Sequence, residues 1–313
     1  MDRFFYAYRF PFRCSSIQED SSSFIVNYLI LVSLFWAFSF GLISTQFSGL
    51  SPALLASIRL SLATLVFLPF LRIKPLTKKD ILSYFFIGLI QYGVMYLLFF
   101  AAFPYIKGQS YLIALFTITT PIYVVLWSQS RFSLLPWIGA FFAVAGAGVI
   151  NWQTSWNGDA WIAFGLLQGS NLAFAFGQIA YRKIKTQHET IEDHSVYALL
   201  FAGATFLTFI VTLFDQSFSQ VLDLNQQQWL TLLYLGIVAS GLCFFWWNKG
   251  ATQTPPPVLA VMNNLKVPLA ISVSLIVFQE WKGVSWAQFT FGIILIALGL
   301  IIAQRTKRPP SKP

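Results

Sequence analysis

The sequence predicts an all-α integral membrane protein, with ten transmembrane helices forming two inverted five-helix repeats. Three observations predict it. Of 313 residues, 57% are hydrophobic and only 10% are charged, whereas soluble domains carry about 25% charged residues. The apolar residues come in long runs. FIVNYLILVSLFWAFSFGLI at 24–43 holds no charge, and about 18 such residues suffice to cross a bilayer as a helix. The basic residues fall almost entirely on one side of the spans.

The spans read in order as 24–43, 52–71, 81–103, 109–129, 134–152, 159–181, 195–214, 229–248, 257–279 and 284–304. Short connections rich in Pro and Gly separate several of them, including SGLSP, RIKPLTKKD, QTSWNG and QTPPP. This divides the chain into an N-terminal tail (1–23), a first repeat (24–152), a second repeat (153–304) and a basic tail (305–313). Of the 20 Lys and Arg, only Lys107 and Lys282 lie on the side opposite the N-terminus, and Arg59 and Lys266 lie within spans. The positive-inside rule then places both termini in the cytoplasm. The net charge of +9 is thus topological and calls for no nucleic-acid partner.

Several function classes are disfavoured. There is no Walker-type phosphate loop and no soluble domain to hold one, so ATP is not expected to drive the protein. Cys14 lies in the tail and Cys243 within a span, and no Cys/His spacing fits a metal site. No cofactor is expected. His188 and His194 share a polar loop with Glu189, Glu192 and Asp193 and read as solvated. Residues 1–23 lack a clean apolar core, because Arg3, Arg9 and Arg13 interrupt it, so they are not a signal peptide. The tail reads as a disordered leader or as a surface-bound segment.

The two halves repeat one another. Gly88 and Gly93 precede Pro121 by 33 and 28 residues, and Gly236 and Gly241 precede Pro268 by 32 and 27. After the proline, Gly139 and Gly146 are seven apart, as are Gly292 and Gly299. With five spans per half, the second enters the membrane upside down. Inverted repeats with a binding site near the midplane mark secondary transporters.

The stretches FWAFSFGLI and SPALLASIRLSLATLVFLP in the first half, and NNLKVPLAISVSLIVFQE before the Gly292/Gly299 helix, resemble the EamA family of the drug/metabolite transporter superfamily. The resemblance spans about residues 30–304. Glu280 closing the ninth span fits the family's second repeat, while the first repeat departs from it with SQSRF after Pro121. QYGVMYLLFFAAFPYIKGQSYLIALFTITTPIYVV and NLAFAFGQIAYRKIK are similar to a subgroup of carboxylate, amino acid or amine transporters. The resemblance implies ten helices, a central cavity and a small-molecule substrate.

Polar residues inside the spans are the candidate site. Lys266 lies about ten residues, roughly 15 Å of helix, from either end of its span. A Lys at such depth costs about 2.5–3.5 kcal/mol on insertion scales. No Asp or Glu lies mid-span to pair with it. It therefore either attracts an anionic substrate group or braces the carbonyls freed by Pro268. Asn263 and Asn264 flank it. In the first half Thr117, Thr119, Thr120 and Pro121 occupy the equivalent helix, although Thr often bonds its own helix. The two prolines are the candidate hinges.

Gln168, Asn171 and Gln178 share one face of the sixth span and either line a passage or bond neighbouring helices. Gln91, Tyr92 and Tyr96 form a third patch at nearly i, i+4 spacing. Arg59 either snorkels to the outer interface or serves the site. Trp36 can stack on a flat substrate, while Trp246 and Trp247, followed by Asn248 and Lys249, read as interfacial anchors.

The expected function is a secondary transporter in a bacterial inner membrane, embedded in lipid, with an amino acid or related carboxylate as substrate. A vitamin carboxylate such as biotin, or an amine or drug exported by the same family, is the alternative. A membrane enzyme would need clustered acids, His or metal ligands, and a channel would need symmetric pore-lining helices. No sequence feature sets the oligomeric state, the direction of transport or the energy source.

Overall fold

A computed structural model describes residues 18–106, 110–128, 134–150, 158–254, 256–280 and 285–304. The N-terminal leader to 17, the basic tail, Lys107, Arg131, Lys282 and the Asn264 side chain lie outside the described residues.

Hydropathy dictates helices here, because a backbone in lipid must satisfy its own hydrogen bonds. Among the described residues there are ten main helices and no strand, besides short 3-10 helices such as Phe103–Tyr105, Asp193–Ser195 and Ser217–Asp223: α1 (Gln18–Gln46), α2 (Pro52–Phe67), α3 (78–101), α4 (110–128), α5 (Leu134–Ile150), α6 (Gly158–Gln187), α7 (Tyr197–Phe214), α8 (226–253), α9 (Pro256–Ile276) and α10 (Trp286–Gln304). Each overlies one expected span. α6 runs past the expected end at 181 and carries Lys183 and Lys185 on the same helix. Six stretches, those of α1, α2, α3, α6, α7 and α8, are long and apolar enough to cross a membrane, and shorter apolar helices lie within α4, α9 and α10. This is a multi-pass membrane protein. Large side chains such as Leu65, Phe141 and Phe206 are more than half exposed, which suits a surface solvated by acyl chains.

Local sequence sets the helix starts. The Thr77 hydroxyl accepts from the Asp80 N–H and the Asp80 carboxylate accepts from the Thr77 N–H, a reciprocal cap opening α3. Asn225 and Gln228 do the same for α8. Ser51 caps α2 ahead of Pro52. α3 and α8 also share a π-helical segment, Leu89–Val94 in one and Tyr234–Leu242 in the other.

Contacts between helices map onto themselves when the halves are exchanged. α2 packs on α7, and α5 on α10. The α1–α9 contact mirrors α6–α4, α3–α7 mirrors α8–α2, and α3–α6 mirrors α8–α1. The repeated glycines explain part of this. A Cβ on Gly88 would lie 1.9 Å from the Leu200 carbonyl oxygen of α7, and one on Gly203 would lie 2.0 Å from the Phe85 carbonyl oxygen of α3. At the equivalent place in the other half, a Cβ on Gly236 would lie 2.6 Å from the Leu62 side chain of α2. Such close approach drives helix association where lipid offers no hydrophobic gain.

The two proline helices differ. α4 tightens into a 3-10 turn at Thr117–Thr119 just before Pro121. α9 runs through Pro268, the other candidate hinge, as one helix. A single proline removes one helical N–H, and the remaining bonds of α9 hold the rod together. At its far end Ser110 donates to the Glu280 carboxylate at 2.8 Å, and Ser274 donates to it too, tying the end of α9 to the start of α4.

The 188–194 loop keeps Glu189 and Glu192 exposed, as expected of a solvated loop, and its histidines also make local contacts. His188 lies 3.4 Å from Asp80 and 3.4 Å from the Tyr84 hydroxyl, and His194 lies 3.0 Å from Glu192.

Gly88→Ala and Gly203→Ala should each destabilise the fold by about 1–3 kcal/mol through overpacking. Gly165→Ala, with nothing within 4 Å of its added Cβ, should gain about 0.5–1 kcal/mol from helix propensity. Melting temperatures in detergent check the opposite signs.

Candidate functional site

A cavity sits where mid-helix residues of both halves meet. Its cavity volume is about 70 Å³ and part of it opens to solvent, so it is tighter than the roughly 300–1,000 Å³ typical of ligand sites. Trp36 (α1), Arg59 (α2), Tyr96 (α3), Asn171 and Phe174 (α6) and Lys266 (α9) line it, with Thr117 of α4 and Phe244 of α8.

Lys266 is 7% exposed. Its ammonium lies 5.7 Å from the Trp36 ring centroid and 5.6 Å from that of Phe174. Ring faces attract a cation without satisfying its N–H groups. Among the described residues no carbonyl, amide or carboxylate accepts from it, including the carbonyls near Pro268. The geometry therefore differs from that of a proline brace.

Arg59 is 2% exposed and faces the cavity, so it does not snorkel to the interface. Nε donates to Ser240 at 3.1 Å, Nη2 donates to the Tyr96 hydroxyl at 2.8 Å, and the guanidinium carbon lies 4.7 Å from the Tyr96 ring centroid and 5.2 Å from that of Phe100. The Ser240 hydroxyl donates to the Leu235 carbonyl at 2.7 Å within the π segment of α8. Its own proton thus committed, Ser240 accepts from Tyr96 at 2.9 Å. Two cations thus line one cavity, and no acid does among its described residues.

The amides of α6 repair α4. Because the Thr120 N–H bonds Thr117, it does not bond the Phe116 carbonyl. Gln168 Nε2 takes it at 3.1 Å and Asn171 Nδ2 at 3.0 Å. Thr119 donates to Gln168 and accepts from Asn171 at 3.1 Å. Thr117 and Thr120 donate to carbonyls of their own helix, at 2.7 and 2.6 Å. Pro121 follows this turn directly. Similar donors serve the π-bulged helices: Trp36 Nε1 donates to the Ala239 carbonyl at 2.8 Å and Ser170 to that of Met95 at 3.0 Å.

Other expected site residues lie elsewhere. Gln178 and Asn263 form an amide pair at 3.4 Å between α6 and α9, with Asn263 also donating to its own Leu259 carbonyl. Gln91 and Tyr92 form a buried polar knot. Asn248 bonds Gln91 at 2.8 Å and Tyr92 at 2.9 Å, Tyr92 meets Tyr197 at 2.5 Å, and Tyr197 donates to the Phe244 carbonyl at 2.6 Å. None of these lines the cavity, nor do Thr119, Thr120 and Gln168. Trp247 is no interfacial anchor: it is fully buried, 5.1 Å from Trp36.

Sequence reasoning passed over Ser240 and Asn248. Asn248 breaks the run CFFWWN, which is a signal, but the adjacent Lys249 made it read as a membrane edge. Ser240 gives no signal beyond its place next to Gly241.

The sequence profile of the EamA-like transporter family matches residues 23–152 and 161–304. A biotin transporter of Salmonella typhimurium (strain LT2) is 35% identical over 288 residues, covering 90% of this chain and 94% of its own. A biotin transporter of Escherichia coli (strain K12) is 34% identical with the same coverage. A crystal structure of another protein superposes with a TM-score of 0.65 at 17% identity, over 91% of this chain and 96% of that one, a likeness of fold.

Asn248→Leu should leave the Gln91 amide and Tyr92 hydroxyl short of partners and cost about 1–3 kcal/mol. Because Asn248 is outside the cavity, ligand affinity of the folded variant should stay within about twofold. Thermal melts and a binding titration on one preparation check both halves of this expectation.

Proposed function

The chain belongs to the EamA-like transporter family, and from that premise we propose that it carries biotin, or a closely similar vitamin carboxylate, across a bacterial inner membrane. Lys266 is the observation that carries the reading: a buried ammonium on two ring faces, open to the cavity, without an acceptor among the described residues. A carboxylate supplies that acceptor.

The cavity's charge favours the vitamin over the amino acid. A zwitterionic amino acid brings an ammonium to a cavity already lined by Arg59 and Lys266, and no lining acid among the described residues receives it. Like charges at close range disfavour binding. The same argument disfavours amines and cationic drugs. A biotin-like acid carries a carboxylate and an apolar chain, and Trp36, Phe174 and Phe244 suit the chain. The names of the relatives point the same way.

Transport proceeds by alternating access around the midplane. In this reading the chain crosses ten times in two inverted halves, and the exchange symmetry of the helix contacts supports it. The basic side, with both termini, faces the cytoplasm. α4, weakened ahead of Pro121, is the flexible rod, and α9 with Pro268 moves against it. With no acid mid-span, transport needs no carboxylate proton relay; facilitated movement or exchange suffices.

Purified protein in liposomes should take up labelled biotin saturably, and excess alanine or glutamate should not compete. Biotin at 100 times its Kd should add about 2.7 kcal/mol of stability. Lys266→Gln should weaken binding at least about tenfold, the loss expected for one hydrogen bond to a charged group, at an unchanged melting temperature. Amino acids that stabilise the wild type where biotin does not would overturn the reading.

A further inference from the structure

We infer that Arg59, aimed by Ser240 and Tyr96, is the cavity's specificity anchor for the neutral carbonyl head of a two-ended ligand whose carboxylate rests on Lys266. The inference rests on the transporter reading above and deepens it. The ligand class is a carboxylic acid with a strong hydrogen-bond-accepting carbonyl at its far end, of which a cyclic urea is the best acceptor.

Donor counting starts the argument. A guanidinium has five N–H donors. Arg59 spends one on Ser240 and one on Tyr96. The remaining three have no acceptor among the described residues, although Arg59 is 2% exposed. These donors open onto the cavity that Arg59 lines, which is where a partner can arrive.

The two cations are set up differently, and this assigns the ends. Lys266 is a compact, strongly hydrated point charge, held by ring faces alone. Its desolvation is offset by a full negative charge. Arg59 is delocalised and weakly hydrated. It lies over two rings and is already bonded to two hydroxyls, so a neutral acceptor completes its shell. The proton order is fixed as well: Ser240 donates to Leu235, Tyr96 donates to Ser240, and Arg59 donates to both. Neither hydroxyl has a proton left for a ligand, so the head must accept hydrogen bonds from Arg59. A second carboxylate there would satisfy Arg59 too, but a biotin-like acid has only one.

Competition binding on purified protein tests this with three ligands: biotin, desthiobiotin (urea and carboxylate kept, thioether ring opened) and lipoate (carboxylate and a sulfur ring, no urea). Wild type should bind desthiobiotin within about threefold of biotin and lipoate at least about tenfold more weakly, because a site built to hydrogen-bond a group rejects ligands lacking it. Arg59→Gln should weaken biotin at least about tenfold and leave lipoate within about twofold, so the preference collapses. Arg59→Lys should restore part of it, since an ammonium still donates. Lys266→Gln should weaken biotin and lipoate alike. If Arg59→Gln does not fold, Tyr96→Phe removes one of the two hydroxyls that aim Arg59 and should shrink the same ratio by a smaller factor. Equal losses for biotin and lipoate in the Arg59 and Tyr96 variants, or no loss in either, would overturn the inference while the transporter reading stands. A wild type with no saturable biotin binding would overturn both.

Discussion

Gln168 and Asn171 both donate to the Phe116 carbonyl, and the cavity depends on that contact. A helix that tightens inside a bilayer changes which donors its carbonyls meet, and a carbonyl left unmet in hydrocarbon would cost several kcal/mol. α4 tightens at Thr117–Thr119, and α6 answers with two amides from one face. The repair holds α4 against α6 and keeps Thr117 and Asn171 beside the cavity. It also joins a helix of the first half to a helix of the second, so the contact that permits the break also joins the repeats.

The same economy governs charge. Arg59 and Lys266 are buried without an acid among the cavity's described lining residues, and aromatic rings carry part of the load. Four ring contacts, from Tyr96, Phe100, Trp36 and Phe174, face the two cations. Rings stabilise a cation without neutralising it, so the cavity carries a positive field. That field attracts an anion and repels amines, and it sets specificity before any close contact is made.

Packing between the halves rests on small residues and polar ties. Gly88 and Gly203 let α3 and α7 meet backbone to backbone, and Thr64 bridges to Thr205 at 3.0 Å between α2 and α7. Reciprocal caps open α3 and α8, and π segments follow in both. A π segment admits an extra residue per turn, which rotates everything beyond it by about 100° relative to a plain helix. It also leaves carbonyls for Trp36 and Ser170 to bond.

Helix positions, the repeated glycines and the polar residues at mid-membrane depth were legible in the sequence, because hydropathy and spacing along one chain are local quantities. Lys266 stood out for the same reason: its depth in an apolar run needs no neighbours to be noticed. Which polar residues share the cavity was decided only in three dimensions. Tyr92 and Tyr96 look like one face at i, i+4, yet the π segment Leu89–Val94 separates them: Tyr92 turns to Asn248 and Tyr197, Tyr96 to Arg59 and Ser240. Arg59 looked near enough to an interface to snorkel, and α3 and α8 instead supplied hydroxyls that hold it inward. Asn248 looked interfacial beside Lys249 and is fully buried against Gln91. In each case the outcome depends on the rotation of one helix against another, a quantity set by inter-helix contacts and absent from any single helix's own sequence.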